Sequence, residues 1–296
     1  MDKAMQPQPS QKITTFLWLN NQAEEAAKTY TSIFKNAKII NTMPGPGGKP
    51  MGATVELAGC QFILFNGGPQ YQPTPAISFY VRCETLQEVE KLWPVLSQGG
   101  IERMKLDKYA WSDKYGWVED KYGVSWQIGL SNTPQAIAPT LMYNGEQQGR
   151  AEEAVKFYIS HFPNSSIEHL ALYEPGEPGP TGQIKHAGFL LRGQDFAAMD
   201  SQMPTPIPFT PGISFFVNCE KQEEVDELWE KLSTGGRKDR CGWLQDKFGV
   251  SWQIIPTALG KLLGDQDPVK SKRVMDAMLK MDKIEIAGLQ KAYSQQ

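Results

Sequence analysis

Three histidines, four cysteines and two identically placed glutamines are the side chains with which this chain of 296 residues could do chemistry. His161, His169 and His186 all fall in the second half. His186, in the strand-like run IKHAGFLL, is the one placed nearest a cavity, where Asp200 beside it would make a general base. A satisfied structural histidine is the competing reading. Cys60, Cys83, Cys219 and Cys241 show no CxxC spacing, and a chain this large needs no covalent staples, so they read as reduced thiols. Arg240 could lower the thiol pKa of Cys241, although an ordinary loop cysteine explains that position equally well. Gln127 and Gln253 each end the segment VSWQ, and because neighbours on a strand face opposite ways, only one of each Trp–Gln pair can face a cavity.

These residues are positioned by a repeat. GWVEDKYGVSWQI at Gly116–Ile128 recurs as GWLQDKFGVSWQI at Gly242–Ile254, AISFYVRCE at 76–84 recurs as GISFFVNCE at 212–220, and AEEA at 23 recurs at 151. The order is the same in both halves, which makes them homologous domains joined near Ser131–Ala138. Between the GG and GW pairs the second copy is shorter by ten residues: the first has Ile101–Tyr115 there, including Trp111, Ser112 and Asp113, and the second only Arg237–Cys241. A segment present in one copy alone is where the halves could differ in ligand binding.

Within each copy the periodicity alternates between that of strands and that of helices. Ile13–Leu19 reads as a strand and Ala23, Ala26, Ala27, Tyr30, Ile33 and Phe34 as a helical stripe. Met51–Leu57 and Gln61–Phe65 flank a tight hairpin, after which the order begins again with a strand at 76–82 and a helix after the capping box Thr85–Glu88. Pro94 should kink that helix or end it early. After Pro256 the stripe Val269, Met275, Met278, Leu279 and then Ile284, Ile286, Leu289 suggests two short helices packed against a domain. The expected fold is α+β: tandem duplicated domains at 11–131 and 138–258, each of paired βαβββ units, with a short helical C-terminal extension at 259–296.

Composition narrows the function classes. Forty per cent hydrophobic residues supply packed cores, and a net charge of −3 offers no broad attraction to phosphate backbones, so nucleic acid is not an expected partner. The N-terminus MDKAMQPQPSQ lacks a signal-peptide run and no stretch reaches membrane-spanning length; a cytoplasmic protein is expected.

The segments ITTFLWLNNQAEEAAKTYTSIF, AISFYVRCETLQEVEKLW and GWVEDKYGVSWQI, with PTLMYNGEQQGRAEEAVKFYISHF and GWLQDKFGVSWQI, resemble the PhnB-like (3-demethylubiquinone-9 3-methyltransferase-like) branch of the vicinal oxygen chelate superfamily, which includes glyoxalases and bleomycin-resistance proteins. The resemblance implies curved sheets of βαβββ units enclosing a cavity, with a metal held by one residue on each of four strands. The corresponding positions here are Thr15 and Pro139 on first strands, Ala76 and Gly212 opening fifth strands, and Gln127 and Gln253 on last strands. Most donors of a divalent set are missing, so no metal or other cofactor is expected.

The better analogue is a member that only binds. Candidate ligand-lining residues are then Trp18, Phe65, Tyr80, Trp111, Asp113 and Gln127 in the first domain and Met142, His186, Met199, Phe216 and Gln253 in the second, with Gln127 and Gln253 facing in while Trp126 packs against helices. The partner would be an unidentified small molecule. The two domains would pack as an intramolecular pseudo-dimer, with further self-association left open. The alternatives are a lyase, isomerase or dioxygenase with a displaced metal site at Asp113, Asp200 or Glu119, and a structural module with filled cavities. A methyl-donor site finds no support: the glycine-rich stretch Pro44–Gly52 leads towards a strand, as a hairpin loop would, and Glu174–Gly182 holds the equivalent place.

Overall fold

The computed structural model describes residues 11–45 and 48–295; the first ten residues, and residues 46 and 47 of the Pro44–Gly52 loop, lie outside the described residues. Each quarter of the chain is a strand, a helix and three strands. The first comprises β1 (Ile13–Leu19), α1 (Ala23–Ile33), β2 (Lys38–Met43), β3 (Gly52–Leu57) and β4 (Cys60–Asn66). The second comprises β5 (Ile77–Cys83), α2 (Leu86–Ser97), β6 (Ile101–Tyr109), β7 (Ser112–Glu119) and β8 (Ser125–Leu130). The third holds β9 (Ala136–Tyr143), α3 (Ala151–His161), β10 (Ser166–Leu172), β11 (Ile184–Leu191) and β12 (Gln194–Asp200). The fourth holds β13 (Ile213–Cys219), α4 (Gln222–Ser233), β14 (Arg237–Lys238), β15 (Trp243–Gln245) and β16 (Ser251–Pro256).

Local chemistry accounts for the boundaries. The β3–β4 hairpin turns through Ala58 and Gly59, both at positive φ, and the β11–β12 hairpin does the same at Arg192 and Gly193; this mirror-image turn matches the strand twist. The Thr85 side chain accepts from Glu88 N–H at the start of α2. The early end expected at Pro94 does not occur: α2 runs on to Ser97 and has twelve residues, as α4 has with Glu230 in that place. The proline removes the N–H that would bond the carbonyl of Glu90, and the helix continues for three residues beyond it despite that loss.

The strands join into two eight-stranded sheets. Sheet A has the order β14-β15-β16-β13-β1-β4-β3-β2 and sheet B the order β10-β11-β12-β9-β5-β8-β7-β6. The first and fourth quarters therefore form one sheet and the second and third the other, through antiparallel seams in which Ile13 faces Val217 and Ile77 faces Leu141. The repeat in sequence and the sheet in space do not coincide.

Each repeat is held together by the core between its sheets. Phe62 of sheet A meets Phe79 of sheet B at 5.2 Å between ring centroids, and Phe196 meets Phe215 at 5.3 Å. Two buried carboxylates tie this core. Asp120 accepts from Tyr30 Oη (2.6 Å), Trp126 Nε1 (2.9 Å) and the N–H groups of Tyr122 and Val124; Asp246 accepts from Tyr158 Oη (2.7 Å), Trp252 Nε1 (2.9 Å) and the N–H groups of Phe248 and Val250. Burial pushes both carboxyls up to about 6 against the opposing pull of these donors.

The tail forms three helices where two were expected: α5 (Thr257–Leu263), α6 (Pro268–Met278) and α7 (Ile286–Ser294). Leu259, Val274, Ile284 and Leu289 bury against Ile255 at one end of sheet A. The shortened β14–β15 hairpin makes room for this. Cys241 and Gly242 donate their backbone N–H groups to the carbonyls of Met281 and Asp282 (2.8 and 2.7 Å), and a side chain at Gly242 would collide with Ile255.

Candidate functional site

Alternation along the strands assigns each side chain to the core or to the outer face of its sheet. On β1, Ile13, Leu17 and Leu19 enter the core, leaving Thr14, Phe16 and Trp18 on the outer face of sheet A. There Trp18 is the centre of an aromatic group. Phe65 lies 5.5 Å from it, Tyr71 5.1 Å at an interplanar angle of 77°, and Trp243 6.3 Å at 75°, while Phe16 meets Trp243 edge-on at 5.6 Å. Gly67 packs on Trp18, since an added Cβ would come within 1.9 Å of the indole, and Trp18 Nε1 donates to the carbonyl of Gly68. Trp18, Phe65, Tyr71 and Trp243 are all half-buried. Gln253 lies beside this group, paired with Trp243 and Phe216 on the neighbouring strands, and its amide donates to Ser214 Oγ at 3.0 Å.

On the outer face of sheet B the matching row is Tyr80, Gln127 and Trp117. Gln127 is fully engaged by the protein: its Oε1 accepts from Tyr115 Oη at 2.6 Å and its Nε2 donates to Ser78 Oγ at 2.7 Å. Trp126 lies on the other side, in the core. Where sheet A has Phe16, Trp18 and Phe65, sheet B has Thr140, Met142 and Met199, so at these positions the aromatic rings of one face are replaced by a hydroxyl and two thioethers on the other. Arg82 pairs with Asp195 at 2.5 Å across it. A cleft of about 460 Å³ between Pro73, Pro75, Arg103, Glu119, Met203 and Pro206 lies at one end. His186, opposite Met199 one step beyond the Ala187–Ala198 pair, meets His169 with 2.7 Å between Nδ1 and Nε2. Burial, with the neighbouring imidazole adding to it, pushes His186 down to about 4.

The structure regroups the candidate residues across the repeats. Trp18, Phe65, Phe216 and Gln253 belong to the outer face of sheet A, and Tyr80, Gln127, Met142, His186 and Met199 to that of sheet B. Phe216 packs under the C-terminal helices and is not free to receive a ligand. Trp111 is 64% exposed at the tip of the β6–β7 hairpin, stacked on Tyr109, and Asp113 beside it forms an exposed ion pair with Lys108 (2.7 Å). His186 does not pair with Asp200, which points into the core and accepts from the N–H groups of Gly149 and Ala151 at the start of α3 and of Ile184 at the start of β11. Burial pushes the Cys241 thiol up, outweighing the opposing effect of Arg240. Sequence reasoning missed Phe16, Tyr71, Tyr115, Trp117, Trp243 and His169. Extending the alternation from Gln127 and Gln253 to the strands beside them would have found Trp117 and Trp243, while Tyr71 sits in a loop with no such signal.

The four-strand metal set implied by the superfamily does not fit these faces. Thr15 and Pro139 point into the core, opposite Phe62 and Phe79, because the alternation runs one residue out of step with their assignment. The polar pairs at the centres are Ser214 with Gln253 and Ser78 with Gln127, each bonded together. On the four central strands of each sheet the outward carboxylate is Asp195 alone, and it is held by Arg82. Hydroxyls and amides satisfied by one another do not make a site for a divalent ion.

Comparison with known proteins agrees with this architecture. No curated protein sequence matches the chain. A Bacillus cereus protein described as a 3-demethylubiquinone-9 3-methyltransferase, PhnB protein, is 40% identical over 41% of this chain and the whole of its own length, with a TM-score of 0.39. Glyoxalase I of Zea mays, 12% identical, covers 81% of this chain and 89% of its own with a TM-score of 0.53, a likeness of fold alone. The model of one family matches residues 11–129 and again 135–255, and on that double match the chain belongs to the family described as 3-demethylubiquinone-9 3-methyltransferase, with a tandem glyoxalase-like fold.

Proposed function

We propose that this protein binds a small, largely apolar molecule on the outer face of sheet A, without a divalent ion at the centre of the sheet. The observation that carries this reading is the aromatic group around Trp18: rings set edge-on at interplanar angles of 61, 77 and 75°, on the side of the sheet away from α1 and α4, and half-buried. Such surfaces accept flat apolar ligands by stacking and edge contacts, with an amide such as Gln253 orienting a polar substituent. The chain is read as two homologous domains, 11–131 and 138–258, packed as an intramolecular pseudo-dimer in the cytoplasm, with the extension at 259–296 closing one end of sheet A. Methyl transfer, named in the family's description, is not part of the proposal, because Pro44–Gly52 leads into strand β3 and supplies no strand-to-helix turn for a methyl donor. The displaced metal site considered above gains nothing either, since Asp113 is at a hairpin tip, Asp200 caps α3 and Glu119 pairs with Arg103.

The test is a titration of the full chain with 1-anilinonaphthalene-8-sulfonate, followed by probe and tryptophan fluorescence and by melting temperature. Saturable binding that raises the melting temperature, and that weakens about tenfold in Trp243→Ala, is the expected result, the loss of one stacking wall being about 1.4 kcal/mol. Absence of both binding and a melting shift would leave a module whose faces are filled by their own side chains.

A further inference from the structure

A pair of imidazoles on the outer face of sheet B has no role in the binding reading above. His169 lies on the exposed edge strand β10 and His186 on β11, and the two rings are inclined by only 12° with centroids 4.9 Å apart. With His169 Nε2 and His186 Nδ1 at 2.7 Å, they lie almost in one plane, edge to edge, with one proton between two nitrogen lone pairs. The local structure is built for this meeting. A register shift between Ile167 and His169 re-aims the second side chain. Opposite His169 stands Gly188, where a Cβ would come within 2.2 Å of the His169 ring, so only glycine leaves the imidazole its place. Met199 flanks His186 on the next strand of the same face. The equivalent hairpin of the first repeat also has a register shift but carries Asn41 opposite Thr54, and no imidazole.

We propose that His169 and His186, with the thioether of Met199 as a third donor, form a site for one transition-metal ion of the zinc–copper class at the edge of sheet B. Imidazole suits both metals, and the thioether adds a preference for copper. An ion would replace the shared proton. Metal–nitrogen bonds of about 2.0–2.1 Å in a tetrahedral arrangement set the two nitrogens roughly 3.3 Å apart, so the pair must open by about half an ångström and the rings must turn until their lone pairs converge on the ion. The edge position of His169 permits that movement. Among the described residues no group of three His, Cys, Asp or Glu side chains converges anywhere, so no such set competes for the ion.

The experiment is a Zn²⁺ titration of the full-length protein by calorimetry, with ring ¹⁵N resonances of the histidines recorded in parallel. One ion per chain is expected, with the signals of His169 and His186 shifting and that of His161, which packs edge-on against Phe157, unchanged. His169→Ala and His186→Ala should each weaken binding by at least about tenfold, and Met199→Leu by a smaller factor that is larger for copper than for zinc. Saturable binding that persists in both histidine variants, no saturable binding, or a shift confined to His161 would overturn the proposal. The ring resonances read the wild-type protein and so decide the matter even if a variant fails to fold. Because the probe is the metal alone, failure here leaves the aromatic site on sheet A untouched.

Discussion

The outer faces of the two sheets are built from the same four-strand pattern and end up with different chemistry. Sheet A presents Phe16, Trp18 and Phe65 and has one end closed by the C-terminal helices; at the matching positions sheet B presents Thr140, Met142 and Met199, and it carries the long β6–β7 hairpin and two facing imidazoles at its edge. The core side shows no such divergence. Asp120 and Asp246 each hold a tyrosine, a tryptophan and two backbone N–H groups in the same geometry, and Asn66 and Asp200 each accept from the first N–H of the helix following the first strand of their repeat. The duplication kept the frame that packs the units and varied the outer faces, away from the helices that lie within the repeats. The ten-residue difference in hairpin length shows why: where the hairpin is short, the strands of sheet A leave Ile255 and Phe216 to be covered by the tail.

Changes at the shared frame, at the tail and beside the two glutamines would break or sharpen this contrast. The largest effect is expected at the shared frame. Asp120→Ala and Asp246→Ala should each destabilise the protein by more than about 4 kcal/mol, because four buried donors lose their acceptor at about 1–3 kcal/mol apiece. Equal losses in urea melts would support a common frame; a loss in one variant alone would end the equivalence. The same carboxyls set a pH dependence. Their folded-state value of about 6 lies above the unfolded one near 4, so their contribution is favourable at low pH and is lost as pH rises through about 6. Asp120→Asn should flatten the change in urea midpoint between pH 4 and 7.

Removal of residues 257–296 should act on sheet A alone. Uncovering Ile255 and Phe216 is expected to cost about 2–4 kcal/mol, measured by the shift in urea midpoint, while leaving the hydrogen exchange of β5 and β8 in sheet B unchanged. Protection lost in both sheets would mean that the tail supports the whole molecule. The smallest effect separates the two glutamines. Tyr115→Phe removes the donor to Gln127 and should cost about 1 kcal/mol. Cys241→Ala, at the matching place beside Gln253, removes no bond to that glutamine and should cost less, as judged by the same melts.

Much of the frame was legible in the residues. The recurrence of GW, DK and VSWQI announced two copies, the strand and helix stripes marked each unit, and alternation separated Trp126 from Gln127, because a side chain's face on a strand depends only on its neighbours. The ends were less legible: α2 continues past Pro94, and α5 follows β16 directly, since helix ends depend on what packs around them. The site was the least legible part. Trp18 and Phe65 have the right types and lie where surface is open, but their company of Tyr71 and Trp243 comes from residues 53 and 225 positions beyond Trp18. Thr15 and Pro139, placed by counting along the chain, point the wrong way because one residue of slip turns a strand over.

The sequence by itself determined that this protein is a duplicated set of βαβββ units, since that depends on residue type and local period. Only the tertiary structure decided that each sheet takes one unit from each repeat, that the tail closes one face, and that His169 meets His186. Those outcomes rest on contacts between segments far apart in the chain, where the choice of partner is made by shape and hydrogen-bond register rather than by any local pattern.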